Sequence, residues 1–85
     1  MYSLEIEESL SKRLKKLAKK DSARASAITK KVRQILEGPS LFKPLRGDLH
    51  GKYRVHVGPF VLIYKIVEER KAVRLLDFEH HDDAY

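Results

Sequence analysis

The C-terminal segment, DFEHHDDAY, carries side chains that could perform acid–base chemistry. It holds His80 and His81, two of the four histidines of the chain, and it ends in Tyr85. Terminal residues are usually poorly ordered and tolerant of change, so reactive side chains gathered there need an explanation. An imidazole with a pKa of about 6.5 can accept or donate a proton at neutral pH. The segment is either solvated or part of an active site.

A second group of such side chains lies in the stretch KYRVHV. Its alternation is typical of a strand and places Lys52, Arg54 and His56 on one face, opposite the apolar side chains. Cations at intervals of roughly 6.5–7 Å suit a phosphate chain. The preceding loop adds two more cations, Lys43 and Arg46. The alternative is the solvated outer face of an antiparallel sheet.

Two imidazoles beside lysine or arginine fit one reaction in particular, the cleavage of an RNA phosphodiester. One imidazole removes the proton of the 2′-OH, another protonates the leaving 5′-oxygen, and a cation stabilises the phosphorane. The product is a 2′,3′-cyclic phosphate. Tyr85 could stack on a base or orient the phosphate. This hypothesis requires the C-terminal segment to reach the face that carries His56.

Two other interpretations of the C-terminal segment stay open. The pairs His80-His81 and Asp82-Asp83, with His56 as a third imidazole, could bind a divalent metal. Adjacent residues rarely supply tetrahedral geometry, however, and the segment has no His-x-x-x-His spacing. The other interpretation is a solvated segment whose charges keep the end of the chain soluble.

The composition limits the classes of protein to consider. A chain of 85 residues is expected to form one domain. The absence of cysteine excludes disulfides, iron–sulfur clusters and thiolate zinc sites, and it fits a reducing cytoplasm. The N-terminal residues lack the features of a secretory signal and no apolar run is long enough to span a bilayer, so we expect a soluble, cytoplasmic protein. The net charge of +6 and the pI of about 9.7 favour a polyanionic partner, with nucleic acid first.

Hydrophobic periodicity predicts the element order β-α-α-β-β-β in a single domain, 1–85. Asp21 and Ser22 separate the two helices, and Gly38-Pro39 ends the second. The predicted elements are a strand at Tyr2–Ile6, helices from about Glu7 to Lys20 and from there to about Glu37, a loop from Ser40 to Gly51, and strands at Lys52–Val57, Phe60–Val67 and Ala72–Phe78. The predicted fold class is α+β, with an N-terminal strand, an antiparallel helix hairpin and a three-stranded antiparallel sheet that the hairpin covers on one face.

Several motifs point to a known family. They are Lys43-Pro44-Leu45-Arg46-Gly47, the strand Gly51–Val57, the strand Val61–Ile66 and the terminal His-x-x-x-Tyr pattern. Together with the element order, they resemble the RelE/ParE toxin superfamily and in particular its RelE and YafQ-like mRNA interferases. The resemblance implies a RelE/ParE-like fold and a ribosome-dependent endoribonuclease that cuts mRNA in the decoding site without a metal or other cofactor. It also implies a partner, an acidic antitoxin whose peptide segment wraps the toxin.

The resemblance also assigns roles to individual residues. In YafQ-like members, histidines occupy the positions of His56 and His81, and an aromatic residue occupies that of Tyr85. In RelE-like members, two lysines occupy the positions of Arg54 and His56. The implied catalytic residues are His56, His81, Tyr85 and Arg54, and the implied RNA-binding residues are Lys43, Arg46, Lys52 and His80.

Three positions depart from the family pattern. YafQ-like members carry a histidine at Lys43 and an acid in the turn Gly58-Pro59-Phe60, whereas RelE-like members carry an arginine at Val61. The superfamily also contains ParE-type gyrase poisons, which lack the RNase groups. A non-nuclease toxin or an inactive binding protein of this fold is therefore the alternative function. The two histidines and the terminal tyrosine together favour the nuclease branch.

Overall fold

A computed structural model describes residues 1–45 and 51–83 of the chain. Within these residues, two helices pack on one face of a five-stranded sheet. The strands are β1 (Ser3–Ile6), β2 (Lys43–Pro44), β3 (Lys52–Val57), β4 (Phe60–Val67) and β5 (Ala72–His80), and the helices are α1 (Glu8–Lys20) and α2 (Ser22–Glu37). Single turns of 3-10 helix lie at Pro39–Leu41, Glu68–Arg70 and His81–Asp83. The α+β fold class is confirmed, and every predicted helix and strand is present, to which the structure adds the short strand β2. No helix in the described part of the chain has the length and apolar character needed to cross a membrane.

The helices begin and end where the sequence supplies capping groups. Asp21 lies between α1 and α2, and its Oδ1 accepts a hydrogen bond of 3.0 Å from the backbone N–H of Arg24. That bond satisfies one of the free amides at the N-terminus of α2. At the other end of α2, the N–H of Gly38 donates to the carbonyl oxygen of Ile35. Pro39 follows and cannot continue the α-helix.

The strands lie in the order β1-β5-β4-β3-β2. The pairs β3–β4 and β4–β5 are antiparallel, which confirms the predicted three-stranded unit, and β2 is also antiparallel to β3. The N-terminal strand β1 joins this unit in parallel, with Ser3 opposite Ala72 and Ile6 opposite Leu75. The sheet is therefore mixed, with the parallel pair β1–β5 beside the antiparallel strands. Alternation marks a segment as a strand but does not say which strand will be its partner.

Two further differences concern the bounds of the strands. β2 lies within the predicted loop, where Lys43 pairs with Arg54 at the edge of the sheet. A strand of two residues has no measurable period, and its second residue, Pro44, has no N–H to donate. β5 extends two residues beyond the predicted end, because His80 still pairs with Phe60 of β4.

The core lies between the helices and one face of the sheet. Its buried side chains include Leu10, Ile28, Val32 and Ile35 from the helices and Val55, Val57, Leu62, Tyr64, Val73, Leu75 and Phe78 from the sheet. The ring of Tyr64 stacks on that of Tyr53 with centroids 5.3 Å apart, and its hydroxyl donates a hydrogen bond to the carbonyl oxygen of Pro39. Burial raises the pKa of Tyr64, so this hydroxyl keeps its proton. The bond ties β4 to the segment that follows α2.

The other face of the sheet, which we call the open face, points away from the helices. Because Val55 and Val57 enter the core, alternation places Arg54 and His56 of β3 on the open face. In β5 the pairing with β4 shifts register, so that Leu76 has no cross-strand partner. Such a bulge re-aims the residues that follow it.

Candidate active site on the open face

His56 and His81 lie side by side on the open face. Their ring centroids are 5.6 Å apart and their planes are tilted by 32°. The backbone N–H of His81 donates a hydrogen bond of 2.8 Å to the carbonyl oxygen of Pro59, in the turn between β3 and β4. That bond fixes the end of β5 against the turn that follows His56. The structure thus brings these two predicted residues together.

The turn that holds this histidine pair depends on Gly58. Its φ of +60° lies in the left-handed region, which side chains with a Cβ rarely adopt. Gly58 and Pro59 connect the last pair of β3 and β4, in which Val57 lies opposite Phe60. A two-residue connection of this kind needs a positive φ. The glycine therefore determines where the Pro59 carbonyl, and with it His81, is placed.

Both imidazoles are accessible from solution. His56 is exposed, and the side chain of His81 is 62% exposed. Nδ1 of His81 lies 3.6 Å from Oδ1 of Asp82. This carboxylate forms an ion pair with the ring when the ring is protonated. A phosphate group that approaches the open face can reach both rings.

Cross-strand pairing aligns cations beside the histidine pair. Lys43 of β2 lies opposite Arg54 of β3, and paired residues of antiparallel strands present their side chains on the same face. Arg54 and His56 are two residues apart in β3 and share that face. Neighbouring strands are about 4.8 Å apart. Lys43, Arg54, His56 and His81 therefore form one surface, which we call the basic patch.

An apolar floor lies next to the basic patch. Val61 and Ile63 of β4 are only 1% and 2% exposed, although they lie outside the main core cluster. By register, Val61 lies opposite His56 and Ile63 lies opposite Arg54. The floor limits the access of water beside the charged groups and so strengthens their interactions with a bound anion. Val61 stands where the resemblance expects an arginine, so this position adds no charge to the basic patch.

Three other predicted site residues do not belong to the basic patch as described. Lys52 shares the open face but lies at the opposite end of β3, in a cross-strand row with Lys65 and Arg74. Arg46 and Tyr85 lie outside the described residues.

His80 is separated from the histidine pair. Phe78 enters the core, so alternation in β5 directs His80 toward the helix side of the sheet. There its ring meets the ring of Phe60 edge-on, with centroids 5.4 Å apart. The structure therefore does not bring His80 together with His81 on the open face. Adjacent residues of an extended chain point to opposite faces, a rule that the two neighbouring histidines obey.

An arginine that sequence reasoning missed lies at the edge of β5. Nη1 of Arg13, in α1, is 2.9 Å from Oδ1 of Asp77, and its Nη2 is 3.5 Å from Oε1 of Glu79. Nη2 also donates a hydrogen bond to the carbonyl oxygen of Phe78. In the sequence, Arg13 belongs to the lysine-rich face of α1, which is typical of a solvated helix surface. No local pattern distinguishes it from its neighbours.

The ionisation of Asp77 reflects this contact. Burial alone would raise the pKa of Asp77, but hydrogen bonds with Arg13, Glu79 and the backbone N–H of Phe78 outweigh it and lower the pKa. The carboxylate of Asp77 is therefore negatively charged at neutral pH, and it forms an ion pair with the guanidinium of Arg13.

The metal interpretation of the C-terminal segment has no geometric support among residues 1–45 and 51–83, where no group of three His, Cys, Asp or Glu side chains is arranged to hold a metal ion. Nδ1 of His80 is 3.7 Å from one carboxylate oxygen of Asp82, and Nδ1 of His81 is 3.6 Å from the other. Asp82 therefore contacts both neighbouring rings at the end of β5.

Known proteins share both the sequence and the fold. The chain is 43% identical over 86 residues to RelE4 of Methanocaldococcus jannaschii, a match that covers 100% of this chain and 92% of RelE4. Its structure is similar to that of the isolated Escherichia coli RelE toxin, with a TM-score of 0.84, 23% identity and coverage of 99% of this chain and 88% of that chain. It is also similar to a chain of the intact E. coli RelBE toxin–antitoxin complex, with a TM-score of 0.80, 21% identity and coverage of 94% and 96%. At these identities the solved structures show a common fold.

The sequence profile described as "ParE toxin of type II toxin-antitoxin system, parDE" matches residues 4–85. The match includes both helices, the histidine pair and all of the five strands except Ser3. The chain therefore belongs to the ParE toxin family of type II toxin–antitoxin systems, within the RelE/ParE superfamily.

Proposed function

We propose that this toxin is a ribosome-dependent mRNA endoribonuclease that works without a metal, and that a cognate antitoxin neutralises it. The observation that carries the proposal is the approach of His56 and His81, on an exposed face beside Arg54 and Lys43. Two imidazoles and two cations on one surface can supply the acid, the base and the charge stabilisation for cleavage of an RNA phosphodiester.

In the proposed reaction, one imidazole accepts the proton of the 2′-OH as the 2′-oxygen attacks phosphorus. The other imidazole donates a proton to the 5′-oxygen as its bond to phosphorus breaks. The products are a 2′,3′-cyclic phosphate and a 5′-OH. His56 and His81, with ring centroids 5.6 Å apart, are close enough to flank a single phosphate. Arg54 and Lys43 would stabilise the charge of the phosphorane.

Tyr85 has a proposed role in orienting the substrate. It is the fourth residue after His81, in the position that the resemblance assigns to an aromatic side chain. An aromatic ring beside the scissile phosphate would stack on a base and hold the nucleotide in place. Arg46, in the segment between β2 and β3, would add charge for the phosphate chain.

The ribosome would supply what an open surface lacks. Within the described residues, the basic patch lies on a face of the sheet where the imidazoles are exposed, so it can attract a phosphate chain without surrounding it. Correct orientation of the 2′-oxygen, phosphorus and 5′-oxygen contributes strongly to such reactions. An mRNA that is already held in the decoding site would meet this requirement. The proposal therefore locates the activity in the cytoplasm.

An antitoxin partner is proposed on the basis of the family and of the likeness to a chain of the RelBE complex. The net charge of +6 favours an acidic partner, because complementary charge accelerates association and stabilises the correct orientation. Such a partner would neutralise the toxin by covering the basic patch.

Cleavage in a translating extract tests the nuclease proposal. The extract would receive the wild type, His56→Ala, His81→Ala or the matched control His80→Ala, and mRNA ends would be mapped by primer extension with and without ribosomes. We expect cuts only on ribosomes, with a loss of about 10²–10⁴-fold in rate for each variant of the histidine pair. His80→Ala should cleave nearly as fast as the wild type, because its ring lies on the helix side. Full activity of both His56→Ala and His81→Ala would reject the proposed mechanism.

The second candidate function is a non-nuclease toxin of the gyrase-directed type. Two observations favour it: the ParE profile matches nearly the whole chain, and Val61 replaces the arginine expected in RelE-like members. This toxin would arrest growth without new mRNA ends and would inhibit DNA supercoiling by gyrase. Ribosome-dependent cuts that vanish in His81→Ala would exclude it.

A further inference from the structure

We propose that Arg13 is a positioning residue for the RNA-binding face, where it holds the carboxylates of Asp77 and Glu79 at the edge of β5 and away from the path of the phosphate chain. This inference rests on the proposed function, since it assumes that RNA lies across the basic patch. It assigns a role to α1, which makes no other contribution to the proposed site.

The guanidinium of Arg13 lies beside a part of the β5 edge that has no adjacent strand among the described residues. β1 pairs with β5 only as far as Leu75, whose carbonyl oxygen accepts a hydrogen bond from the N–H of Glu7. The chain then enters α1, so within the described residues the edge of β5 beyond Leu75 has no neighbouring strand on that side. The guanidinium of Arg13 reaches this edge and donates to the carbonyl oxygen of Phe78. It thus provides a donor that an adjacent strand would otherwise provide.

Asp77 and Glu79 lie in the same cross-strand rows of the sheet as two residues of the basic patch. The register across β3, β4 and β5 places Asp77 in one row with Arg54, and Glu79 in one row with His56. Two strand spacings amount to about 10 Å, which is about one Debye length at 0.1 M salt. Two carboxylates at that distance, if unrestrained, would repel a phosphate chain and compete with it for the cations of the patch.

The contact geometry shows how Arg13 limits the repulsion between the two carboxylates and a phosphate chain. Its two terminal nitrogens are divided between the two acids, at 2.9 Å from Asp77 and 3.5 Å from Glu79. One guanidinium therefore fixes both carboxylates at the strand edge. Its side chain is 50% exposed, and ion pairs with that degree of exposure contribute little to stability. We therefore expect loss of Arg13 to change RNA binding more than folding.

A thermodynamic cycle tests whether Arg13 acts through the carboxylates. The probe is a fluorescent 2′-O-methyl RNA oligonucleotide, which cannot be cleaved, and its affinity is measured by anisotropy at low salt. Four proteins are compared: the wild type, Arg13→Gln, Asp77→Asn/Glu79→Gln, and the variant with all three changes. Thermal unfolding of each protein verifies that it is folded.

We expect Arg13→Gln to weaken binding roughly three- to tenfold in the wild-type background. In the background with neutral residues 77 and 79, the same change should alter the affinity less than about twofold, because no carboxylates remain to be held. The difference between wild type and Arg13→Gln should also shrink at about 1 M salt, where charges are screened. A purely structural role would lower the unfolding temperature and would not depend on salt in this way.

Equal losses in the two backgrounds would overturn the inference, since Arg13 would then act independently of Asp77 and Glu79. The matched control is Arg70→Gln, which removes another arginine–carboxylate contact, 2.9 Å from Glu5, at the opposite end of β5. It changes the net charge equally and should leave the affinity within about twofold of the wild type. Failure of the wild type to bind the oligonucleotide would reject the proposed RNA face itself, and the inference with it. Binding without coupling would reject the inference alone.

Discussion

His56 and His81 reach each other from different elements, with ring centroids 5.6 Å apart. One belongs to β3, and the other follows β5, two strands away in the sheet. The contact exists because the N–H of His81 is bound to the carbonyl oxygen of Pro59, in the turn that follows β3. This backbone hydrogen bond thus connects His81 to the turn beside His56.

The double variant His56→Ala/His81→Ala should lose much less of the cleavage rate than the product of the two single losses. If His56 and His81 act as acid and base on one phosphate, each alanine variant loses most of the acid–base catalysis, about 10²–10⁴-fold. The double variant should then lose little more than the worse single variant. Single-turnover cleavage of ribosome-bound mRNA measures these rates. A double variant whose loss equals the product of the two single losses would show that the residues act independently.

Gly58→Ala should impair cleavage through the position of His81. The φ of +60° costs a residue with a Cβ about 1 kcal/mol, while no atom within 4 Å would clash with the added methyl group. We expect the free energy of unfolding, measured in urea, to fall by about that amount. The turn should also shift the Pro59 carbonyl, so the cleavage rate should fall as well.

Gly51→Ala is the control for this variant. Gly51 also has a positive φ, +87°, and open space at its Cβ, but it precedes β3 at the end opposite the histidine pair. We expect a comparable loss of stability and an unchanged cleavage rate in the folded protein. If both variants cleave equally slowly, the effect of Gly58 is on folding and not on the histidine pair.

Tyr64→Phe should destabilise the fold without altering the basic patch. The substitution leaves the carbonyl oxygen of Pro39 without its buried hydroxyl donor, which costs about 1–3 kcal/mol. Urea unfolding measures this change. In the wild type, burial raises the pKa of Tyr64 above its usual value, so stability should decline as the pH rises above about 10, where the unfolded chain loses the proton first. The stability of Tyr64→Phe should decline less steeply at alkaline pH. An unchanged decline would show that a group other than Tyr64 causes it.

Acid should weaken the contact between Arg13 and Asp77. The pKa of Asp77 is lower in the folded protein than in the unfolded chain, so its ionisation stabilises the fold. That contribution is fully present above the ordinary carboxyl pKa of about 3.9 and is lost as the pH falls through the lower folded value. Between about pH 6 and about pH 3, the urea midpoint of Asp77→Asn should therefore fall less than that of the wild type. Identical acid profiles would show that Asp77 does not contribute.

The sequence predicted the elements of the fold because each carries its own period. β3 and β4 were found to the residue, and α1 and α2 closely, since Leu10, Ile28 and Ile35 repeat at helical spacing and enter the core. The parallel pairing of β1 with β5 could not be predicted in the same way. Its partner choice depends on how the three antiparallel strands and both helices pack, which no local pattern records.

The candidate site was predictable only where residues share an element or a family motif. Arg54 and His56 share a face by simple alternation, and His81 was identified through the resemblance. The same rule of alternation separates His80 from His81, but only once β5 is known to extend as far as His80. The contacts of Arg13 with β5 could not be predicted, because they join parts of the chain that are distant in sequence.

The position of β5 also has a consequence for the synthesis of this protein. Among the described residues, β5 is the last strand in sequence, yet it lies inside the sheet, between β1 and β4. A nascent chain can form α1, α2 and the β3–β4 hairpin early. β1, however, cannot pair with β5 until β5 has emerged from the ribosome. Pairing between such distant segments is slow to form. Until residues 72–83 have left the exit tunnel, β5 and His81 are not available, so neither the five-stranded sheet nor the histidine pair can form.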